Sequence, residues 1–495
     1  MTTAPAPEHH EVVIVGAGVS GIAAAIGLLQ AGVDDVVLVE KAETFGGTWR
    51  ANTYPGCACD VPSGLYSFSF APNPGWSRLF ATQPEILDYV DGVAREHGLA
   101  ERTRFGTELL DARWTGEGWA IATSAGAMTA RFLISAAGPW DEPVVPDLPG
   151  LAGFPGPVFH SSRWRHDVSL AGMRVAVVGS GASAVQFVPA IAPKVAELHL
   201  FQRTAQWVLP KPDAALPAPV RRAMAAIPGA HRLLRTVEYA AMEALGVGFR
   251  RPRPVMDLVQ AVGSAHLRAA VRDPALRARL TPDYTVGCKR ILFSNSYLPA
   301  LTRANVEVHA TGVERFEGAT VVGSDGTRAE VDAVILGTGF RLLDMPIAGL
   351  VHGTDGRSLA EAWQGSPEAY LGTAVAGFPQ AFIVLGPSLG TGHTSAFAIL
   401  ESQVAHIVAA IGHARSEQVV LDVRPEVQAA YVDAVQTALA GTVYETGGCA
   451  SYYRDVNGRN SFSWPWSTRT LTRRVRRFDP ADYRTLVPAP TEVPA

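Results

Sequence analysis

The chain predicts an α/β fold of two doubly wound parallel-sheet units, with a helical insertion in the second. Three observations carry that expectation. The first is a β-branched run closed by glycines, Val12-Val13-Ile14-Val15-Gly16-Ala17-Gly18-Val19-Ser20-Gly21, answered 24 residues after Gly16 by Glu40. The second repeats the unit as Val175-Ala176-Val177-Val178-Gly179-Ser180-Gly181-Ala182-Ser183-Ala184, answered at the same interval by Arg203. The third is a change of texture between Leu209 and Tyr284, where Ala, Arg and Leu replace the β-branched runs. A glycine turn lets backbone approach a pyrophosphate, and the helix it opens offers N–H groups and a positive dipole end. A residue that reads the ribose is expected about 20 positions later. Both units therefore read as Rossmann-like dinucleotide sites. A carboxylate such as Glu40 accepts hydrogen bonds from a ribose diol, whereas the Arg203 guanidinium favours a 2′-phosphate. A ribose-ending dinucleotide and NADP in one chain imply electron transfer between them.

The elements follow in order. Residues 12–15 and 36–39 are expected as strands flanking an Ala-rich helix over Ile22–Leu29, which Gly32 ends. Ile134–Gly138 reads as a further buried strand, and the proline-rich Pro139–Pro157 as a linker. The strand–helix–strand unit returns at 174–203, and Arg221–Leu245 and Val255–Leu280 read as helices. A strand over Val331–Leu336 runs into Gly337-Thr338-Gly339-Phe340. Ala381–Leu385 then leads through Gly386-Pro387 to a helix at about 394–411. The expected organisation is a first unit of residues 1–152 and 339–495, interrupted by a second of 153–208 and 284–338 that carries the insertion 209–283.

Composition narrows the function. At 495 residues and 47% hydrophobic content the chain can bury two or three cores. A net charge of −4 gives no general attraction to nucleic acid or anionic membrane, and neither is expected as a partner. The basic run Arg473-Arg474-Val475-Arg476-Arg477 reads as a solvated helix end or tail. Four cysteines, at 57, 59, 288 and 449, are too few for a disulfide framework and suit a reducing, cytoplasmic location. Cys57-Ala58-Cys59 lacks the two-residue spacing of a redox dithiol. The start has no basic stretch before an apolar core, so no signal peptide is expected. No apolar run approaches about 20 residues, so no spanning helix is expected either. HxxxH-type pairs and Cys/His clusters are absent, which gives no metal signal, and His9-His10 reads as a disordered N-terminal stretch.

One segment is more specific. Gly46-Gly47-Thr48-Trp49, Tyr54-Pro55-Gly56 and Asp60 match every fixed position of the pattern [Ala/Gly]-Gly-x-Trp-x4-[Phe/Tyr]-Pro-[Gly/Met]-x3-Asp. Phe154, Gly156, His160 and Trp164 match a second, Phe-x-Gly-x3-His-x3-Trp. In both, the chain resembles the type I Baeyer–Villiger monooxygenases of the flavin-containing monooxygenase superfamily. Related N- and S-oxygenating enzymes end the second pattern in Tyr or Phe, so Trp164 favours the Baeyer–Villiger branch. That branch usually continues with Pro or Asp, where this chain has Arg165. Further likenesses are Phe201-Gln202-Arg203-Thr204 with Trp207, Pro282-Asp283-Tyr284, Gly287-Cys288-Lys289-Arg290, and Gly386-Pro387 through Glu401-Ser402-Gln403. Near the end Ser451-Tyr452-Tyr453 stands where the family often has Ser-Trp-Tyr, which leaves the role of Tyr452 open.

The resemblance implies FAD in the first unit and NADPH in the second. NADPH reduces FAD, the reduced flavin and O₂ give a C4a-peroxyflavin, and this inserts one oxygen beside a ketone carbonyl to form an ester or lactone. The peroxide must stay anionic, and the carbonyl adduct is also an oxyanion. A guanidinium stabilises both because it stays protonated at any working pH. Arg290 is the implied catalytic cation, with Asp60 its partner and an influence on the flavin. Cofactor contacts are expected at Gly16, Gly18, Gly21, Glu40, Gly47, Thr48, Trp49, Asp60 and Tyr66 for FAD. Those for NADPH are Gly179, Ser180, Gly181, Ser183, Ala184, Arg203, Thr204 and Lys289, with Arg203 and Lys289 on the phosphate. His160 is expected to be a structural residue of the interdomain linker that couples domain movement to cofactor binding, and His393 is left without a role. Three other readings are weighed: an N- or S-oxide-forming flavin monooxygenase, a disulfide reductase with two dinucleotide units, and a non-catalytic nucleotide sensor. The reductase would need a CxxC or C-x4-C dithiol near the flavin loop, and none is present.

Overall fold

The computed structural model describes residues 7–486. Two sheets dominate it, the first parallel except for the antiparallel pairings of Trp119–Thr123 with Leu109–Trp114 and Gly126–Ser135, the second all parallel. The β-branched runs Val12–Val15 and Val36–Val39 are buried on both faces and pair in parallel, Val12 opposite Val36. Continuously apolar strands are what a sheet covered on both sides requires. The first sheet runs Val351–His352, Leu109–Trp114, Trp119–Thr123, Gly126–Ser135, Glu8–Val15, Val36–Val39, Thr103–Arg104, and Ala381–Ile383 pairs along Gly126–Ser135. The second has five parallel strands in the order Val306–His309, Glu197–Phe201, Arg174–Val178, Ala333–Leu336, Val158–His160. The chain thus leaves the first sheet after Ser135, builds the second, and returns to the first with 351–352 and 381–383.

Helices fill 218–279: Ala218–Ala226, Ala230–Arg250, Val255–Ala270 and Pro274–Arg279. The last is started by Asp273, whose carboxylate accepts from the Ala275 and Leu276 N–H groups, with Pro274 at the first helical position.

Several expectations need correction. The strand expected over Ile134–Gly138 stops at Ser135. Ala136 and Ala137 leave the sheet to pass under the first glycine turn, where a Cβ on Gly16 would lie 2.7 Å from the Ala136 carbonyl oxygen. His9 and His10 are ordered within the strand Glu8–Val15; His9 Nδ1 lies 3.0 Å from Thr129 Oγ1 and His10 Nδ1 2.9 Å from Asp35 Oδ1. His160 lies not in a linker but at the end of the edge strand Val158–His160, opposite Leu336. The helix Ala396–Ser416 is, by length and composition alone, apolar enough to cross a membrane, with 21 residues and a mean hydropathy of 1.3. The helix expected at about 394–411 is this one, and Glu401, Gln403 and His406 interrupt its apolar run. It is a core helix, with 56% of that window buried and packing against Val19–Gln30 and Thr468–Val475.

Candidate active site and cofactor clefts

The first glycine turn has little freedom to vary. Gly16 has φ +104°, and a Cβ on Gly21 would land on the Gly16 carbonyl oxygen. Gly18 and Gly47 face each other so closely that a Cβ on Gly47 would sit 3.0 Å from Gly18 Cα. No side chain caps the helix Val19–Gln30 at Gly18, so its leading N–H groups remain free for an anion. Glu40 follows the strand Val36–Val39, is buried, and accepts from the Ala17 and Ala42 N–H groups at 2.8 Å each. It therefore braces the turn itself, with one further lone pair on each oxygen for a diol.

The second turn is built alike. Gly179 has φ +101°, and a Cβ there would strike the Gly337 carbonyl. A Cβ on Gly181 would meet open space, and the helix Ala182–Ile191 is also uncapped. Ala184 is buried where a third glycine often stands, and Ser183 lies in the first turn of this helix. The Ser180 hydroxyl donates to the Thr204 carbonyl at 3.3 Å, tying this loop to the residue after Arg203. Arg203 is exposed. Lys289 lies with its Nζ 5.0 Å from the centre of the Tyr284 ring. Burial lowers the Lys289 pKa and the like charge of Arg203 lowers it further, against a pull upward from Asp283. Two cations on one wall suit a polyanion such as phosphate.

Arg290 and Asp60, 230 residues apart in the chain, form a bidentate ion pair: Nε to Oδ2 is 2.8 Å and Nη2 to Oδ1 is 2.6 Å. Their side chains are 38% and 20% exposed, so the pair is within reach of solvent. The Asp60 charge raises the Arg290 pKa further, against burial. Burial works to raise the Asp60 pKa, but the Arg290 charge and hydrogen bonds overcome it, and the carboxyl sits below its usual range. Beside them stands Lys211, which sequence reasoning missed. Its Nζ donates to the Cys59 carbonyl at 3.0 Å and lies 4.9 Å from the Phe80 ring centre. Burial lowers its pKa, opposed by Asp213, and Asp60 also acts on it. A single lysine after a short strand carries no sequence signal. Tyr452 is 47% exposed and packs edge-on against Tyr453 at 4.6 Å; burial raises its phenol pKa, with the Arg290 charge opposing.

The two matched patterns have physical causes. Gln186, on the helix Ala182–Ile191, clamps the first: its Oε1 accepts from the Tyr54 hydroxyl at 3.1 Å and the Ala58 N–H at 3.2 Å, and its Nε2 donates to the Ala58 carbonyl at 3.0 Å. Gly56, at φ +83°, passes under the Gln186 carbonyl with room for no side chain. Trp49 is buried in the short helix Thr48–Ala51, whose first residue, Thr48, is exposed. Its indole N–H donates to the Tyr66 hydroxyl at 3.0 Å, and Tyr66 packs on Phe397. In the second pattern Trp164 packs against Phe159 and Phe187, and a Cβ on Gly156 would strike the Asp332 carbonyl.

His160 is buried, with Nδ1 accepting from the Ser162 N–H at 3.1 Å and lying 2.9 Å from its hydroxyl, which leaves the proton on Nε2. Burial pulls its pKa down to about 4, with the Gly339 carbonyl opposing, so the ring is neutral at working pH. His393 Nε2 lies 3.1 Å from Glu243 Oε1 and 3.2 Å from Thr468 Oγ1, linking its own loop to the helix Ala230–Arg250 and to the helix Thr468–Val475.

The cysteines also need correction. Cys57 and Cys59 are free and buried, and burial raises the Cys57 thiol to about 11. Cys288 and Cys449 are joined in a disulfide across 161 residues. Sequence spacing cannot show this: the 447–449 segment is brought behind the Arg290 loop by the Thr285 N–H donating to the Gly447 carbonyl at 2.9 Å. Reducing this bond, or Cys449→Ser, should lower folding stability by about 2–4 kcal/mol. Thermal melts with and without dithiothreitol check this, the variant being insensitive to the reductant.

Comparison with known proteins places this geometry. The chain is 46% identical to a Baeyer–Villiger monooxygenase of Streptomyces coelicolor over 99% of its own length and 95% of the relative's. The chain belongs to the Baeyer–Villiger monooxygenase family. A second relative of that name, from Pseudomonas aeruginosa, is 44% identical over 98% of this chain and 93% of its own. Among solved structures, an oxidised steroid monooxygenase bound to NADP superposes with a TM-score of 0.83 at 28% identity, covering 97% of this chain and 99% of that one. The family model for pyridine nucleotide-disulphide oxidoreductases matches residues 13–228, under half of the chain. That match spans both glycine turns. It contains no CxxC or C-x4-C dithiol: Cys57 and Cys59 are one residue apart, and burial raises both thiols.

Proposed function

We propose that the chain converts a ketone to an ester or lactone with NADPH and O₂, using Arg290 as the catalytic cation and Asp60 to position it. It is an NADPH- and FAD-dependent Baeyer–Villiger monooxygenase. FAD, when bound, relays electrons from NADPH to O₂ and delivers the oxygen that is inserted. The uncapped helix starts at Gly18 and Gly181, beside Gly16, Gly21 and Gly179 where a Cβ would collide with a carbonyl oxygen, fit two pyrophosphates. Glu40 holds a ribose diol of FAD, and Gly47, Thr48, Trp49 and Tyr66 line the flavin side. Arg203 and Lys289 hold the 2′-phosphate of NADPH, with Ser180, Ser183, Ala184 and Thr204 around it.

The single observation that carries this reading is the bidentate, solvent-reachable Arg290–Asp60 pair. Oxygen insertion develops negative charge on the carbonyl oxygen of the ketone. A guanidinium oriented by a carboxylate meets that charge without reorganising, and it cannot lose its proton. N- or S-oxygenation needs instead a proton on the transferred oxygen, which a permanent cation does not supply. A panel of ketones and sulfides with product identification by mass spectrometry tests the assignment: esters or lactones are expected, and sulfoxides with no ester would overturn it.

Arg203→Ala should raise the KM for NADPH by roughly 10–100-fold, the value of one charge-assisted hydrogen bond at ~1.5–3 kcal/mol, and leave that for NADH nearly unchanged. Steady-state rates with both nucleotides check this. Equal effects on the two would remove the phosphate role.

A further inference from the structure

We propose that the outer face of the second sheet carries a binding site for one divalent transition-metal ion, of the zinc type, formed by His199, Glu307 and His309. Nothing in the oxygenation reading requires it.

Glu197-Leu198-His199 and Glu307-Val308-His309 are Glu-x-His triplets over 100 residues apart. Neither is a metal signal alone. The fold makes them neighbours: their strands pair in parallel with Glu307 opposite His199 and His309 opposite Phe201. Alternate residues of a strand share a face, so all four polar side chains lie together on one side of the sheet.

The distances suit an ion. His199 Nδ1 lies 3.1 Å from His309 Nε2. Two imidazole nitrogens bound to one tetrahedral zinc at ~2.0–2.1 Å stand about 3.3 Å apart. The ring planes are 11° from parallel with centroids 5.4 Å apart, and the two rings approach each other through those nitrogens. Glu307 brings Oε2 to 3.7 Å from His199 Nδ1, and one ligand atom from each of the three residues lies within 4.8 Å of the others. The remaining contact is the one a ligating histidine normally makes. Glu197 Oε2 lies 3.3 Å from the far nitrogen of His199, Nε2, which keeps the proton there and turns the Nδ1 lone pair toward His309. The His309 side chain is 6% exposed and Glu307 is 60% exposed, so the site has a fixed base and an open entrance. Imidazole and carboxylate together suit zinc, nickel or copper rather than calcium or magnesium.

The site's place suggests what it does. The strand Glu197–Phe201 runs directly into Gln202-Arg203, and the Gln202 N–H donates to the His309 carbonyl at 3.0 Å. An ion bridging the two strands therefore fastens the edge that presents Arg203.

The test uses untagged, FAD-loaded full-length protein, stripped with a chelator, incubated with zinc chloride and desalted. Zinc is then counted per chain, and thermal melts are compared with and without it. One zinc per chain and a higher melting temperature are expected. His199→Asn should lose both effects, and Glu307→Gln, at an exposed position that leaves the fold intact, should weaken zinc binding on the order of tenfold. No zinc retained by the unaltered protein, or equal zinc retained by His199→Asn, overturns the proposal. Unchanged affinity in Glu307→Gln overturns the three-residue assignment.

Discussion

Arg290→Ala is expected to cut ester formation by about 10²–10³-fold while NADPH is still consumed, the loss typical of one fixed donor at a developing oxyanion. Hydride delivery needs the two clefts, and Arg203, Lys289 and both glycine turns are untouched by the change. The inserted oxygen then has no cation to meet the charge on the carbonyl, and the reducing equivalents leave as hydrogen peroxide. Parallel assays of NADPH, peroxide and ester separate this from simple unfolding. A variant that still makes ester at the normal rate removes Arg290 from catalysis. Asp60→Ala should give a smaller loss of the same kind, because Arg290 keeps its charge and loses only the bidentate partner that orients it.

Gly21→Ala is expected to give protein with little or no bound FAD. A Cβ there falls on the Gly16 carbonyl oxygen, which belongs to the turn itself and cannot swing aside like a side-chain tip. The helix Val19–Gln30 must move off the strand Glu8–Val15, at about 1–3 kcal/mol or more, and its free N–H groups move with it. The ratio of flavin to protein absorbance after purification reads the effect. Full flavin content would show that the turn is not the FAD site.

What could be read from the sequence follows from how local each signal is. The two strand–glycine–helix units were legible because strand period, glycine turn and charged reader all lie within about 30 residues. The Gly46–Asp60 pattern was legible as a pattern, but its cause was not: Gly56 and Tyr54 are set by Gln186, 130 or so residues further on. The same distance hides the Cys288–Cys449 bond, Lys211 against the Cys59 carbonyl, and the two histidines of neighbouring strands. Each is a single residue whose meaning comes from a partner that only the fold supplies. The core helix Ala396–Ser416 was legible as a helix at about 394–411, but not as a long apolar one. Its buried polar residues break the apolar run, and Gln403 finds its partners at the Gly372 and Ile383 carbonyls, far along the chain.

The most direct measurement is turnover of a ketone by the FAD-loaded enzyme with NADPH under ¹⁸O₂. One labelled oxygen in the ester or lactone, and none in product formed under ¹⁶O₂ in labelled water, is the predicted result. NADPH oxidation matched by hydrogen peroxide, with no labelled ester from any ketone, would contradict it.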